Sequence, residues 1–155
     1  MAERLSKGAG ALLVGAQFLF ITLLIWPFSP VALFWPAALV AMPAVVLVLW
    51  TLACNRLGNF NIRPAVKDGA QLITHGPYAW VRHPLYVCVL WFGVAAVVFY
   101  ASWLKMLLWL ALLIVLWLKA AMEEAALVAH FAAYRAYAAR VGRFVPRLKI
   151  RPTRQ

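Results

Sequence analysis

Between Gly8 and Asn55 the chain carries no charged residue, a length that accommodates two membrane passes of about 20 residues each. Pro27, Pro30 and Pro36, with Trp26 and Trp35, place the turn between them, so the first span is expected at about 10 to 27 and the second at about 35 to 54. Pro43 falls inside the second and predicts a kink there. From 56 to 82 asparagine, proline, glycine and aspartate break both helical and strand periods, which reads as a membrane-surface loop. Two more apolar runs follow at about 84 to 100 and 104 to 122, joined by a short turn at Tyr100, Ala101 and Ser102. Beyond them Leu127, Phe131, Tyr134, Ala138 and Val141 recur at steps of three and four, the spacing of an amphipathic helix that lies in the interface. The expected fold is therefore all-α: a single polytopic membrane domain over residues 1–155, with four transmembrane helices and a C-terminal interfacial amphipathic helix.

Composition agrees with the pattern: 66% of the residues are hydrophobic and 12% charged, more apolar than a soluble domain of this size requires. The net charge of +11 raises the question of nucleic acid. The basic residues, however, flank the apolar runs: Arg4 and Lys7, then Arg56, Arg63, Lys67 and Arg82, then Arg135 to Arg154. That is positive-inside topology, so no nucleic-acid partner is expected and both termini and the central loop are expected on the cytoplasmic side. Lys105, near the opposite turn, is expected to snorkel to the interface. The N-terminus resembles a signal peptide but has no small-x-small cleavage site before the next apolar run, and reads as an uncleaved span. Cys54 and Cys88 define neither a disulfide framework nor a metal set, and His75, His83 and His130 lack the i, i+4 spacing of a helical zinc motif.

Chemistry concentrates in two stretches. Pro84 suits the first turn of a helix, which places Arg82, His83 and Tyr86 around a helix entrance whose unpaired N–H groups favour a polar or anionic ligand. At the inner end of the fourth span stand Lys119, Glu123 and Glu124, where a charge needs a partner or a function. Lys119 and Glu123 are spaced to pair along one helix face. Glu124 has Ala120 at its own i−4 position and is expected to be left free for a ligand. The plainer reading of the two glutamates is as markers of the membrane surface.

Taken in order, Gly76-Pro77-Tyr78, Arg82-His83-Pro84-Leu85-Tyr86, Glu123-Glu124 with Leu127 and Phe131, then Tyr134, Tyr137 and Gly142-Arg143-Phe144-Val145-Pro146-Arg147 resemble the isoprenylcysteine carboxyl methyltransferase and phospholipid N-methyltransferase superfamily. The resemblance covers about residues 58 to 148, the expected cofactor-binding part. Cys88 stands where the family usually has glycine, and the segment from Phe131 to Tyr134 is one residue shorter than usual, with Ala132 at a glycine position.

The resemblance implies an integral membrane methyltransferase that uses S-adenosylmethionine. Carried over residue by residue, it implies cofactor binding by Tyr78, Arg82, His83, Pro84, Tyr86, Glu123 and Glu124, and substrate contacts at Tyr134 and Tyr137. By its pKa, His83 is the candidate for a catalytic base. The short outer turns and the placement of these motifs at the inner boundary lead to a lipophilic acceptor that enters from the bilayer. Two alternatives stand beside this reading: an NADPH-dependent membrane reductase resembling the sterol reductases, which share an R-H-P-x-Y motif, and a membrane scaffold subunit without catalysis.

Overall fold

The computed structural model describes residues 2–27, 35–55 and 71–147, with side chains from Gly8 onward. Most of the expected surface loop, including Arg56, Arg63 and Lys67, and the last residues of the basic tail lie outside the described residues. Among the described residues five α-helices follow one another: α1 (Ala2–Ile25), α2 (Trp35–Cys54), α3 (Pro84–Tyr100), α4 (Trp103–His130) and α5 (Tyr134–Arg140). No strand forms among the described residues, which hold one isolated parallel bridge between Val81 and Gly142.

Three helices, α1, α2 and α4, are long and apolar enough to cross a membrane, and α3 is a shorter apolar helix. At about 1.5 Å per residue, the 17 residues of α3 still cover most of a hydrocarbon core. The 28 residues of α4 exceed it, so its last turns project beyond the apolar layer and carry Glu123 and Glu124 to the boundary. Ala101 takes a left-handed conformation (φ 45°) that caps α3 and lets the chain reverse into α4 after only one further residue, Ser102.

The centre of the bundle is the α3–α4 pair, with α2 packed on α3 and α1 packed on α4. Leu24, Leu90, Leu112 and Leu116 form the buried core between α1, α3 and α4. In lipid such packing is the main attraction between helices, and interhelical hydrogen bonds add to it. Two tryptophans supply them: Trp109 Nε1 donates to the Leu90 carbonyl at 2.8 Å, and Trp91 Nε1 donates to Val40, near the helix-internal Pro43. Leucines, valines and tryptophans along the outer faces, among them Leu39, Leu49, Ile114 and Trp117, remain exposed, as lipid-facing positions do.

Two expectations need correction here. Lys105 does not snorkel outward. It is 8% exposed, its ammonium donates to the Leu23 carbonyl at 2.7 Å and to that of Trp26, and it lies 4.4 Å from the centre of the Tyr100 ring. The C-terminal end of α1 leaves carbonyls without helical partners, and a lysine within reach is better satisfied there than at the interface. The amphipathic helix expected over Leu127 to Val141 is not continuous either. α4 runs on to His130, Phe131 is extended (φ −116°, ψ 112°), and a turn through Ala132 and Ala133 starts the seven-residue α5. The periodic apolar residues nevertheless meet: Leu127, Val128 and Phe131 pack on Tyr134, Tyr137 and Val141, so the period reports one shared face of two helices.

Candidate active site

The segment before α3 is shaped by a 3₁₀ turn, Gly76–Ala79. Gly76 has φ +60°, and a Cβ there would come within 2.5 Å of Cys54 Sγ, so both backbone and space demand glycine. Tyr78 is held from two sides: Asn55 Nδ2 donates to its phenol oxygen at 2.9 Å, and the Tyr137 hydroxyl donates to its carbonyl at 2.7 Å. It ties the end of α2 to α5. The chain then runs alongside the C-terminal strap after α5, with Arg82 N donating to Gly142 O at 2.8 Å and His83 N to Arg143 O at 3.2 Å. His83 caps α3 and Pro84 opens it, as expected from sequence.

This arrangement gathers a cluster of charges around Glu124. Arg82 Nε and Nη2 each lie 3.0 Å from Glu124 Oε1, while its Nη1 donates to the carbonyls of Ala138 (2.8 Å) and Val141 (2.7 Å). His83 Nε2 stands 3.1 Å from the same carboxylate oxygen. Arg143 closes the group side-on, Nε to Oε1 at 3.0 Å and Nη2 to Oε2 at 2.8 Å. Glu123 faces a neighbouring set: it accepts the Tyr86 hydroxyl at 2.5 Å and sits 3.5 Å from His83 Nδ1. Burial opposes a charge on His83, but hydrogen bonds and attraction from both glutamates outweigh it and hold its pKa above the ordinary histidine value.

Aromatic rings cover the cluster. His83 and Tyr86 stack with ring centres 5.3 Å apart, and Phe144 meets Tyr86 and His83 edge-on. Phe144 also meets Trp117 at 5.7 Å, and the Arg143 guanidinium lies 4.3 Å from the centre of that indole. Trp117 is 51% exposed on the lipid-facing surface of α4, so this set of rings leads from the carboxylates to the bilayer. On another side of Glu124 a cavity of about 590 Å³ opens between α4 and α5, lined by Arg82, Glu124, Tyr134, Arg135 and Arg147 among others. Tyr134 is 2% exposed and its hydroxyl has no hydrogen-bond partner among the described residues. Burial is the main cause that raises the pKa of this phenol, which therefore keeps its proton to donate.

Arg82, His83, Tyr86, Glu123 and Glu124 thus come together, with Tyr134 beside them. Tyr78 and Tyr137 bond to each other at the edge of the cluster, and Pro84 serves as the first residue of α3. Glu124 is not free, since two arginines and the His83 ring hold it. Nor does Lys119 pair with Glu123: its ammonium bonds Gln17 Oε1 at 2.8 Å and lies 5.2 Å from the Tyr86 ring centre. Spacing along α4 does not register α1, whose Gln17 offers a neutral acceptor deep between the helices. Sequence reasoning assigned no role to Arg143, Phe144, Trp117 or Asn55. Arg143 and Phe144 stood within the motif, but in a basic tail the arginine reads as one more positive-inside residue.

Fold and site together define an integral membrane protein of helices, with a buried ionic cluster at one end of the bundle. Residues 57–129, a little under half of the chain, match the model of the isoprenylcysteine carboxyl methyltransferase (ICMT) family, a match that supports the likeness to that superfamily of integral membrane methyltransferases. Among curated proteins, none matches it.

Proposed function

We propose that the protein transfers a methyl group from S-adenosylmethionine to a lipophilic acceptor at the cytoplasmic membrane boundary. The observation that carries this reading is the meeting of Arg82 and His83 with Glu123 and Glu124, two sequence segments far apart, in one buried cluster between a polar cavity and a bilayer-facing set of rings. The donor set fits the cofactor: glutamate for a ribose diol, arginines at the cavity for a carboxylate, and carboxylates and aromatic faces near a sulfonium. The unpartnered Tyr134 hydroxyl is a donor of the kind that such a ligand satisfies.

When bound, S-adenosylmethionine supplies an electrophilic methyl group on a positively charged sulfur. The residues of the chain have three roles. Glu124, Tyr134 and the cavity arginines bind and orient from the polar side, and Tyr78 and Tyr137 fix the α2 and α5 ends that frame it. Tyr86, Phe144 and Trp117 exclude water and receive the acceptor from the lipid side, which favours a direct displacement through alignment and desolvation. His83 takes the acceptor's proton where one must leave. As long as both glutamates face it, its protonated form is favoured, and a glutamate that turns to a ligand lowers that preference.

The test is a calorimetric titration of the full chain in detergent micelles with S-adenosylhomocysteine and, separately, with NADPH. Saturable binding of the first alone is expected. Binding of NADPH alone would replace this reading with a reductase, and binding of neither would leave a scaffold.

A further inference from the structure

Glu124 is the residue on which the proposed cofactor site turns, yet its two oxygens already receive Arg82, His83 and Arg143. A ligand hydroxyl that bonds to this carboxylate has to take the place of one of them. Arg82 is not replaceable, because its side chain is 9% exposed and the same guanidinium is fixed to the carbonyls of Ala138 and Val141. The His83 ring is fixed by stacking on Tyr86, its side chain is 7% exposed, and its other ring nitrogen faces Glu123. Arg143 differs on every count. Its guanidinium bonds only to Glu124 among the described residues, its side chain is 18% exposed, and it rests on the face of Trp117, which is itself half exposed.

The strap that carries Arg143 is held mainly through side chains. After the two backbone bonds to Gly142 and Arg143, no backbone–backbone bond among the described residues ties residues 144–147 to the helices, and Val145 is 73% exposed. Three side chains fix the strap: Arg143 pairs with Glu124, the Phe144 ring is wedged between His83, Tyr86 and Trp117, and at the far end the Arg147 guanidinium donates to the Ala139 carbonyl of α5. Release of Arg143 loosens Phe144, since the two residues are adjacent.

We propose that Arg143 is a displaceable latch: it and the cofactor compete for Glu124, and its release carries Phe144 out of the ring cluster and opens the carboxylates toward the bilayer. The proposal rests on the reading that Glu124 holds the cofactor. Its consequence is an order of events. Cofactor binding opens the acceptor's way in, so the acceptor's reactive group meets the carboxylates only when the methyl donor is in place. Arg143 and Phe144 both lie on the ring-covered side of Glu124, against Trp117, so a ligand that engages the carboxylate from the cavity side frees the two together.

Competition and direct binding by Arg143 make opposite predictions. If Arg143 competes with the cofactor, its loss raises affinity, because the competent arrangement no longer has to displace the arginine. Calorimetry with S-adenosylhomocysteine on the full chain in micelles is expected to give about tenfold tighter binding for Arg143→Gln than for wild type, with Arg143→Lys between them. Equal or weaker binding by Arg143→Gln, with wild type binding normally, overturns the latch alone. Absence of binding in wild type and both variants overturns the cofactor reading as well. A second measurement keeps Arg143 in place: a spin label at Val145→Cys, with Cys54 and Cys88 changed to alanine. Saturating S-adenosylhomocysteine is expected to increase the label's mobility, and unchanged mobility at saturation overturns the opening.

Discussion

Lys119 and Gln17 join α4 to α1 through a 2.8 Å bond between two polar side chains inside an apolar bundle. Lys119 is 3% exposed, and with the amide as its hydrogen-bond acceptor it also lies over the Tyr86 ring that reaches Glu123. The pair therefore connects bundle packing to the site. Interhelical hydrogen bonds in membranes contribute about 0.6 kcal/mol on average and up to about 1.7. In a double-mutant cycle of Gln17→Leu and Lys119→Met, measured by unfolding in mixed micelles, a coupling in that range is expected. Gln17→Leu alone should cost more than the double variant, because it leaves a buried ammonium without its acceptor. A coupling near zero would detach the pair from stability.

The two glutamates divide their work differently from what their spacing implies. Glu124 pairs with Arg82 and Arg143, whereas Glu123 meets a phenol and one side of His83. To remove one partner of a buried ionic group costs about 3 to 5 kcal/mol. Exposures of 14% for Glu124 and 18% for Arg143 place this cluster toward the lower figure. Glu124→Gln is expected to lose about 3 kcal/mol of stability and also S-adenosylhomocysteine affinity. Tyr86→Phe, which removes one hydrogen bond to Glu123, should lose about 1 kcal/mol. Thermal unfolding of both in the same detergent checks the order, and a larger loss for Tyr86→Phe would contradict it.

The helices are legible in the hydropathy because lipid tolerates few polar side chains along a span, so the breaks at Trp26 to Trp35 and at Tyr100 to Ser102 stand out. The site is legible only in part. The motifs point to Arg82, His83, Tyr86, Glu123 and Glu124, but spacing rules describe neighbours on one helix. Glu124 looks free along α4 because Ala120 lies one turn back, whereas Arg143 reaches it from 19 residues away. Lys119 finds its acceptor 102 residues away in the chain. Lys105 reads as an interfacial charge until the end of α1 is seen to present carbonyls to it. Long-range satisfaction of polar groups is what one-dimensional periodicity does not contain.

The raised pKa of His83 predicts a pH dependence with a definite sign. Below its unfolded value of 6.5 the imidazole is protonated whether folded or not, and its attraction to Glu123 and Glu124 contributes fully to stability. As pH rises through the higher native value the proton is lost in both states and the contribution disappears. The apparent melting temperature of wild type should therefore fall as pH rises from 6.5 through the higher native value, with a shallower fall for His83→Gln. Parallel curves for the two proteins would show that another group sets the trend.

The proposed cytoplasmic site requires that both termini and the central loop share one side, as the basic residues flanking the spans imply. Single cysteines at Ser6, Asn61 and Thr153, with Cys54 and Cys88 replaced, are expected to react with an impermeant maleimide from the same side of sealed vesicles. Labelling of the Asn61 position from the side opposite Thr153 would invert the geometry of the cofactor's approach.

Gly142 decides whether the strap can lie where it does. A Cβ at this residue would stand 1.8 Å from the Val145 carbonyl oxygen, a distance that backbone cannot accommodate without moving. Its own carbonyl accepts Arg82 N, and Val81 bridges to it, so movement of Gly142 breaks the alignment that brings Arg143 to Glu124. The helices do not depend on this contact: their core lies between Leu24, Leu90, Leu112 and Leu116, toward the middle of the bundle. Gly142→Ala should therefore retain the far-ultraviolet helical signal of wild type while its strap opens locally. Limited trypsin digestion in micelles reads that opening, because Arg143 and Arg147 are both cleavage sites and cleavage follows the population of the open form. A loss of about 1.4 kcal/mol of local stability raises that population about tenfold, and the cleavage rate at Arg143 should rise by a similar factor. Saturating S-adenosylhomocysteine is expected to protect neither protein at Arg143, because the latch is released in both. An unchanged cleavage rate in Gly142→Ala would mean that the strap is held by contacts other than the bridge to Val81 and the pair with Glu124.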